Sequence, residues 1–306
     1  MTMIETHGLT KEFGDVTAVE GVDLSVERGE IHGFVGHNGA GKTTTMQMLT
    51  GLVTPTSGDA YIGGDPAGSR AATQKIGYAP QNLEFYESMT GRNYLVYMGK
   101  LSAVDGSPGE RADELLEWLD LTDAADQAVG GYSGGMLRKL AVGQAMLADP
   151  ELLILDEPTA ALDPEGRAMI TNALEKLTDD GTTIFVSSHV LTELEQFIDT
   201  VTFLKEGQVV ASGPLEEVLS STAVEQFVVD TSDNDLLAEL LGDHESVDSV
   251  DRSDDGSLLV TTDDPAAFAV GLPQVVSNAN LGLFSVDREG GLEERFLDIL
   301  EEGGDR

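Results

Sequence analysis

The chain carries 306 residues, no cysteine, and 55 acidic against 17 basic side chains, a formal net charge of −38. Its length predicts about two domains at ~100–200 residues each. The composition excludes a disulfide framework and a thiolate metal site, and so acidic a balance argues against an extended nucleic-acid footprint, which needs clustered Lys and Arg.

The acidic excess runs through the whole chain. One reading is adaptation to molar salt, as in a halophilic archaeon, because salt screens the self-repulsion that would otherwise swell the fold. The rivals are an acidic binding face and a disordered acidic tail. Met1 to Glu5 lack the basic and apolar regions of a signal peptide. No apolar run approaches the ~20 residues that span a bilayer.

Residues 1 to about 85 read as short strands alternating with Gly turns. Among them, Glu30 to Val35 predicts a strand and Thr44 to Thr50 a helix. Between these lies Gly36-His37-Asn38-Gly39-Ala40-Gly41-Lys42-Thr43, a match to G-x-x-x-x-G-K-[ST]. Glycines let successive N–H groups curl around one anion, and the following helix adds the positive end of its dipole. Lys42 is placed to reach the β- and γ-phosphates of a nucleotide, with Thr44 beside it, and the Thr43 hydroxyl to ligate Mg²⁺. The alternative, a Gly-rich turn with a chance lysine, explains neither flanking element.

Residues from about 88 to 135 are predicted mostly helical, with Arg111 to Leu121 placing Leu115, Leu116, Trp118 and Leu119 on or near one face. Tyr132-Ser133-Gly134-Gly135-Met136 then precedes a predicted helix from Leu137 to Leu147. Ser133 is a natural N-cap, and the Gly pair leaves backbone N–H groups open to a second anion. Leu152 to Leu155, four apolar residues, run into Asp156 and Glu157. A buried strand would deliver these carboxylates to an active site, Asp156 for Mg²⁺ and Glu157 as general base for an attacking water. The alternative is an acidic turn after a core strand. Thr183 to Val186 predicts a further strand, followed by Ser187-Ser188-His189. Val201 to Leu204 and Gln208 to Ala211 flank a Glu206-Gly207 turn. The alternation predicts an α/β domain with a mostly parallel sheet.

With the P-loop and the Ser133-Gly134-Gly135 core in place, residues 3 to 220 resemble the ATP-binding subunits of ABC transporters. The family's usual signature is Leu-Ser-Gly-Gly-Gln. Tyr132 and Met136 replace its outer residues, a variant similar to drug- and polysaccharide-exporter-type members, and Met136 lacks the amide that would reach ribose or phosphate. The resemblance implies a P-loop NTPase core with an inserted helical subdomain at about 88–135. It implies that Ser133, Gly134 and Gly135 bind the γ-phosphate of a nucleotide held by the partner subunit. It places Phe13 as the aromatic that stacks on adenine, although Phe13 also suits a core position behind the first strand. It places Gln81 on Mg²⁺ and the water, Asp163 in the loop linking the two sites of a dimer, and His189 as the switch histidine on the γ-phosphate. Leu83, Phe85, Tyr86, Tyr94, Tyr97 and Met98 are candidates to receive a short permease helix, about half of them expected in the subdomain core instead.

A boundary is predicted near Ser220, giving a 1–220 ATP-binding domain and a 221–306 accessory domain. Beyond it, Glu225 to Asp230, Val247 to Asp251, Leu258 to Thr262 and Leu283 to Val286 read as strands. Leu236 to Leu241, Pro265 to Val270 and Leu292 to Leu300 read as helices, which predicts a small α+β domain of split-βαβ type. The resemblance therefore implies an ATPase using ATP and Mg²⁺ that powers an exporter. Its partners would be a separate integral membrane permease and a second copy of itself or a paralogue in an ATP-sandwich dimer, with no nucleic acid, at the cytoplasmic face of the membrane. The alternatives are a soluble ABC ATPase acting on ribosomes or DNA, and a catalytically silent binding module.

Overall fold

Three strands of near-continuous apolar sequence set the architecture. The computed structural model describes residues 1–102, 104, 106–160, 162–179, 181–189, 194–220, 225–242, 244, 246–253 and 256–289. The chain divides into two compact units, Met1–Leu215 and Glu216–Arg306.

The first unit begins with β1 (Thr2–Phe13), β2 (Val16–Glu27), β3 (Ile31–Val35), α1 (Lys42–Leu49), β4 (Ser57–Ile62), β5 (Asp65–Pro66), α2 (Arg70–Thr73) and β6 (Ile76–Ala79). It continues with α3 (Gly91–Leu101), α4 (Pro108–Trp118), α5 (Gly134–Ala145), β7 (Leu152–Asp156), α6 (Pro164–Asp179), β8 (Thr183–Ser188), β9 (Thr200–Lys205) and β10 (Gln208–Pro214), and α7 (Leu215–Ser220) follows. The central sheet has the order β10-β9-β3-β8-β7-β6, parallel except for the β9–β10 hairpin. Every residue of β3, β7 and β8 is buried, as expected for parallel strands covered on both faces.

A second sheet, β2-β1-β4-β5, is antiparallel. β1 and β2 run 12 residues each rather than as the short strands the sequence predicts. Their bulged registers absorb Gly8, Gly14 and Gly21 at positive φ, so glycines that read as turns lie within or between long strands. α1 contacts β2, β4 and β7, and Met46, Met48 and Leu49 join Leu24, Val26, Ile154 and Phe185 in one core. Each such side chain contributes about 1.5–3 kcal/mol by burial. The segment predicted helical holds α3, α4 and two 3₁₀ turns. α4 starts before the predicted Arg111 because Ser107 caps it at Glu110 N–H and Pro108 follows the cap. α5 starts at Gly134 rather than Leu137 because Ser133 accepts from Met136 N–H.

The second unit contains β11 (Glu225–Thr231), α8 (Asn234–Leu241), β12 (Ser249–Arg252), β13 (Leu258–Thr262), α9 (Pro265–Asn278) and β14 (Leu283–Glu289). Its antiparallel sheet has the order β12-β13-β11-β14, with β13 inserted between the strands that α8 connects. That is the split βαβ arrangement. Leu237 and Leu241 of α8 and Phe268, Leu272 and Val276 of α9 pack on Val229, Leu258 and Val260. α9 runs past the predicted end at Val270 and through Pro273, since Leu272 and Val276 are buried with Phe268 and hold the extra turns. The predicted helix Leu292 to Leu300 lies outside the described residues.

Candidate nucleotide site

The parallel register brings three strand ends together: Val35 pairs with Ser188, and Asp156 with Ser187. The loop after β3, the acids after β7 and His189 after β8 therefore meet at the carboxyl edge of the sheet, where open α/β folds bind ligands. The loop between β3 and α1 curls through Gly39 and Gly41, at φ 86° and 105°. The first N–H groups of α1 have no partner within the helix. They border a cleft of ≈ 420 Å³ lined by Ala18, His37, Asn38, Gly39, Gly41, Lys42, Thr43, Thr44, Gln81, Asp156 and Glu157. Gly36 and Ala40 shape the loop from behind. Gly36 O accepts from Lys42, and buried Ala40 bonds His37 O and Gly207 N–H.

Lys42 Nζ donates to Gly36 O at 2.5 Å and His37 O at 3.3 Å, and lies 3.6 Å from Glu157 Oε1. Burial lowers its pKa, and the carboxylates of Glu157 and Asp156 oppose that shift. Asp156 is 1 % exposed and accepts from the Thr43 hydroxyl at 2.8 Å and the Ser187 hydroxyl at 2.7 Å. Its neighbour Glu157 is 3 % exposed, takes a left-handed φ of 56°, and donates its N–H to Ser187 Oγ at 3.0 Å. Glu157 Oε2 lies 2.5 Å from His189 Nδ1. One buried carboxylate thus sits between a lysine and a histidine. Tyr78, one strand over, has a buried hydroxyl with no hydrogen-bond partner among the described residues, and burial, then the Asp156 charge, push its pKa up to about 12.

Phe13 is 51 % exposed at the end of β1, with Lys11 Nζ 4.9 Å from its ring centre. It is not a core aromatic, and its free face lies outside the residues lining the cleft. Ser133, Gly134, Gly135 and Asp163 line a different cleft of ≈ 500 Å³, with Asp120, Lys139 and Glu165. Ser133 Oγ is taken up as the α5 cap, and Asp163 Oδ1 accepts from Gly166 N–H at 2.8 Å.

A profile described as ABC transporter matches residues 19–160. The linearmycin resistance ATP-binding protein LnrL of Bacillus subtilis (strain 168) is 36% identical over 221 residues, 71% of this chain and 71% of its own. The bacitracin transport ATP-binding protein BcrA of Bacillus licheniformis is 35% identical over 262 residues, 85% of each chain. This chain belongs to the ATP-binding proteins of ABC transporters. A solved ABC-transporter cassette in its ADP conformation matches this ATPase at TM-score 0.64 and 26% identity, covering 72% of this chain and 96% of that one. A dimeric post-hydrolysis cassette bound to ADP and Pi matches at TM-score 0.64 and 26% identity, covering 70% and 99%.

Two residues of the ATPase escaped the sequence. Ser187 bridges Asp156 and Glu157, and its signal was a hydroxyl ending an apolar strand beside the acids. Arg138 donates to Gln81 O at 2.6 Å, a contact across 57 residues that no local pattern announces.

Proposed function

We propose that this ATPase binds Mg-ATP in the P-loop cleft of one copy and completes the site with the Ser133–Gly135 edge of a second copy or a paralogue. The observation that carries the reading is the separation of the two clefts. The P-loop, Asp156 and Glu157 share one, while the signature serine and Asp163 share another. Two antiparallel copies of one surface, or of two related ones, bring P-loop to signature twice. Phe13 offers its exposed face to adenine. Gly36 to Thr44 cradle the phosphates. The Thr43 hydroxyl beside the Asp156 carboxylate, with Gln81 at the same cleft, is a hard-oxygen donor set that fits Mg²⁺. Bound there, Mg²⁺ would neutralise phosphate charge. Glu157 accepts the proton of the attacking water, and His189 orients Glu157 and reaches the γ-phosphate.

The relatives are named for resistance to linearmycin and to daunorubicin and doxorubicin, and for bacitracin transport. On that analogy the work done is export through a separate membrane permease, with this chain on the cytoplasmic face. Among the described residues no helix is long and apolar enough to cross a membrane. Tyr86 and Tyr97, 54 % and 38 % exposed and edge-on at 5.7 Å, are the surface offered to a permease helix, whereas Tyr94 is buried beneath. The names of these relatives give no support to action on ribosomes or DNA.

Glu157→Gln tests the reading. The amide keeps the shape but takes no proton, so turnover falls about 10²–10⁴-fold. ATP binding persists and an ATP-bound dimer accumulates on gel filtration. Lys42→Ala loses ATP binding itself. Turnover by Glu157→Gln within about twofold of wild type would remove Glu157 from the role of base.

A further inference from the structure

Arg138 stands on α5, five residues after the Ser133 cap, so the same helix that carries the signature carries this guanidinium. It is half-buried, and its Nη1 donates to the main-chain oxygen of Gln81 at 2.6 Å. Among the described residues, this is the only side-chain hydrogen bond made to residues 80–85. A hollow of ≈ 250 Å³ separates much of that loop from α5, with Leu83 and Phe85 on one wall and Leu137 and Arg138 on the other. The loop is therefore held to the helix at one polar point. On its far side Gln81 borders the cleft that contains Asp156 and Glu157. Burial lowers the Arg138 pKa while those two carboxylates oppose the shift, so the cation and the acids act on each other across Gln81. A charge-assisted bond of this length is roughly twice as strong as a neutral one, and a half-buried cation that lost its acceptor would be left undersatisfied.

We propose that Arg138 is a positioning residue for hydrolysis: by gripping the Gln81 carbonyl it fixes the Gln81 side chain in the cleft and ties the Gln81 loop to the helix that Ser133 caps. The proposal rests on the reading that Gln81 serves Mg²⁺ and the attacking water. Movement of the signature helix then carries Gln81 with it. Because Arg138 is not among the residues lining the P-loop cleft, its loss acts on turnover and on the Mg²⁺ requirement, not on ATP affinity.

A double-mutant cycle on the full chain decides the matter, with steady-state ATPase measured against ATP and against Mg²⁺. Gln81→Ala and Arg138→Ala are each expected to lower kcat about tenfold to a hundredfold, the range for a misplaced catalytic geometry. KM for ATP stays within about twofold, and half-saturation moves to higher Mg²⁺. In the Gln81→Ala background, Arg138→Ala costs nothing more, because the group it positions is gone. If Arg138→Ala does not fold, Arg138→Gln, which is shorter and uncharged but keeps a polar, flexible side chain at the surface of the hollow, runs the same cycle. Losses that multiply in the double variant would overturn the proposal while leaving the role of Gln81 intact. Wild-type kcat and Mg²⁺ dependence in Gln81→Ala alone would overturn the reading of Gln81 and the proposal with it.

Discussion

Three glycines of the P-loop meet different obstacles, and alanine separates them. Gly39 has φ +86° and, among the described residues, nothing within 4 Å of where a Cβ would stand. Alanine there meets only backbone strain, about 1–3 kcal/mol. Gly36 takes no positive φ, but its Cβ would overlap the Leu204 carbonyl oxygen and stand 3.0 Å from Ala40 Cβ. Overpacking of that kind costs about 1–3 kcal/mol. Gly41 meets both obstacles: φ is +105°, and its Cβ would fall 2.5 Å from Ala18 O and 3.3 Å from Leu204 and Val19 methyl carbons. Adding the two ranges gives about 2–6 kcal/mol for Gly41→Ala, a large share of the roughly 5–15 kcal/mol that holds a domain folded. The loop can relieve Gly41→Ala only by moving away from β2, and Lys42 is the next residue. Gly41→Ala is therefore expected to lose the most stability and ATP affinity, and Gly36→Ala and Gly39→Ala, with one obstacle each, less. Denaturant unfolding and titration with a fluorescent ATP analogue, both at high salt, measure the order. Gly41→Ala matching Gly39→Ala in both assays would refute the packing argument.

Two further outcomes concern pH and salt. His32 is 1 % exposed, with ring nitrogens 2.7 Å and 2.9 Å from the Thr200 and Thr202 hydroxyls, and burial, opposed by Glu30, holds its pKa below 6.5. Between that folded pKa and 6.5 the unfolded chain binds more protons, so stability is complete above this window and falls as pH falls through it; His32→Gln should flatten the decline, and an equally steep fall in Tm would exclude His32 as its source. We also propose that the net charge of −38 reflects life in high salt. The Debye length shrinks from ~10 Å at 0.1 M to ~3 Å at 1 M, so Tm is expected to climb steeply with KCl, and a flat profile would return the acids to the role of a binding face.

What was legible in the sequence was contiguous. The P-loop is one run of eight residues, and Asp156-Glu157 end one apolar strand, so both could be read without knowing any partner. The ends of helices were less legible, because periodicity marks the buried face while Ser107 and Ser133 mark the start. Long β1 and β2 were cut short in reading by glycines that the bulged ladder tolerates. Arg138 was invisible, and Ser187 showed only as a hydroxyl after an apolar strand, because their meaning lies in partners 57 and 30 residues away. No periodicity encodes such pairs; only the parallel register and the approach of α5 to the loop after β6 create them.

Ser187 shows what the strand ends contribute beyond delivery. Its hydroxyl donates to Asp156 Oδ1 at 2.7 Å and accepts the Glu157 N–H at 3.0 Å. Glu157 holds φ 56°, a conformation that costs a non-glycine residue free energy and persists only where the surroundings fix it. The accepted N–H is such a constraint, for a residue 3 % exposed. Ser187→Ala would leave a carboxylate oxygen and a backbone N–H unmatched in the interior, at about 1–3 kcal/mol each. It would also free Glu157 to relax toward an ordinary backbone angle, turning its carboxylate away from Lys42 and His189. The expected result is a lower unfolding midpoint with ATP binding kept and turnover lost, and Ser187→Thr, which restores a hydroxyl on a β-branched residue suited to a strand, recovers part of both. Binding and turnover falling in equal proportion would mean that Ser187 supports the fold of the cleft as a whole. Wild-type turnover in Ser187→Ala would mean that the left-handed turn at Glu157 is held by the sheet alone.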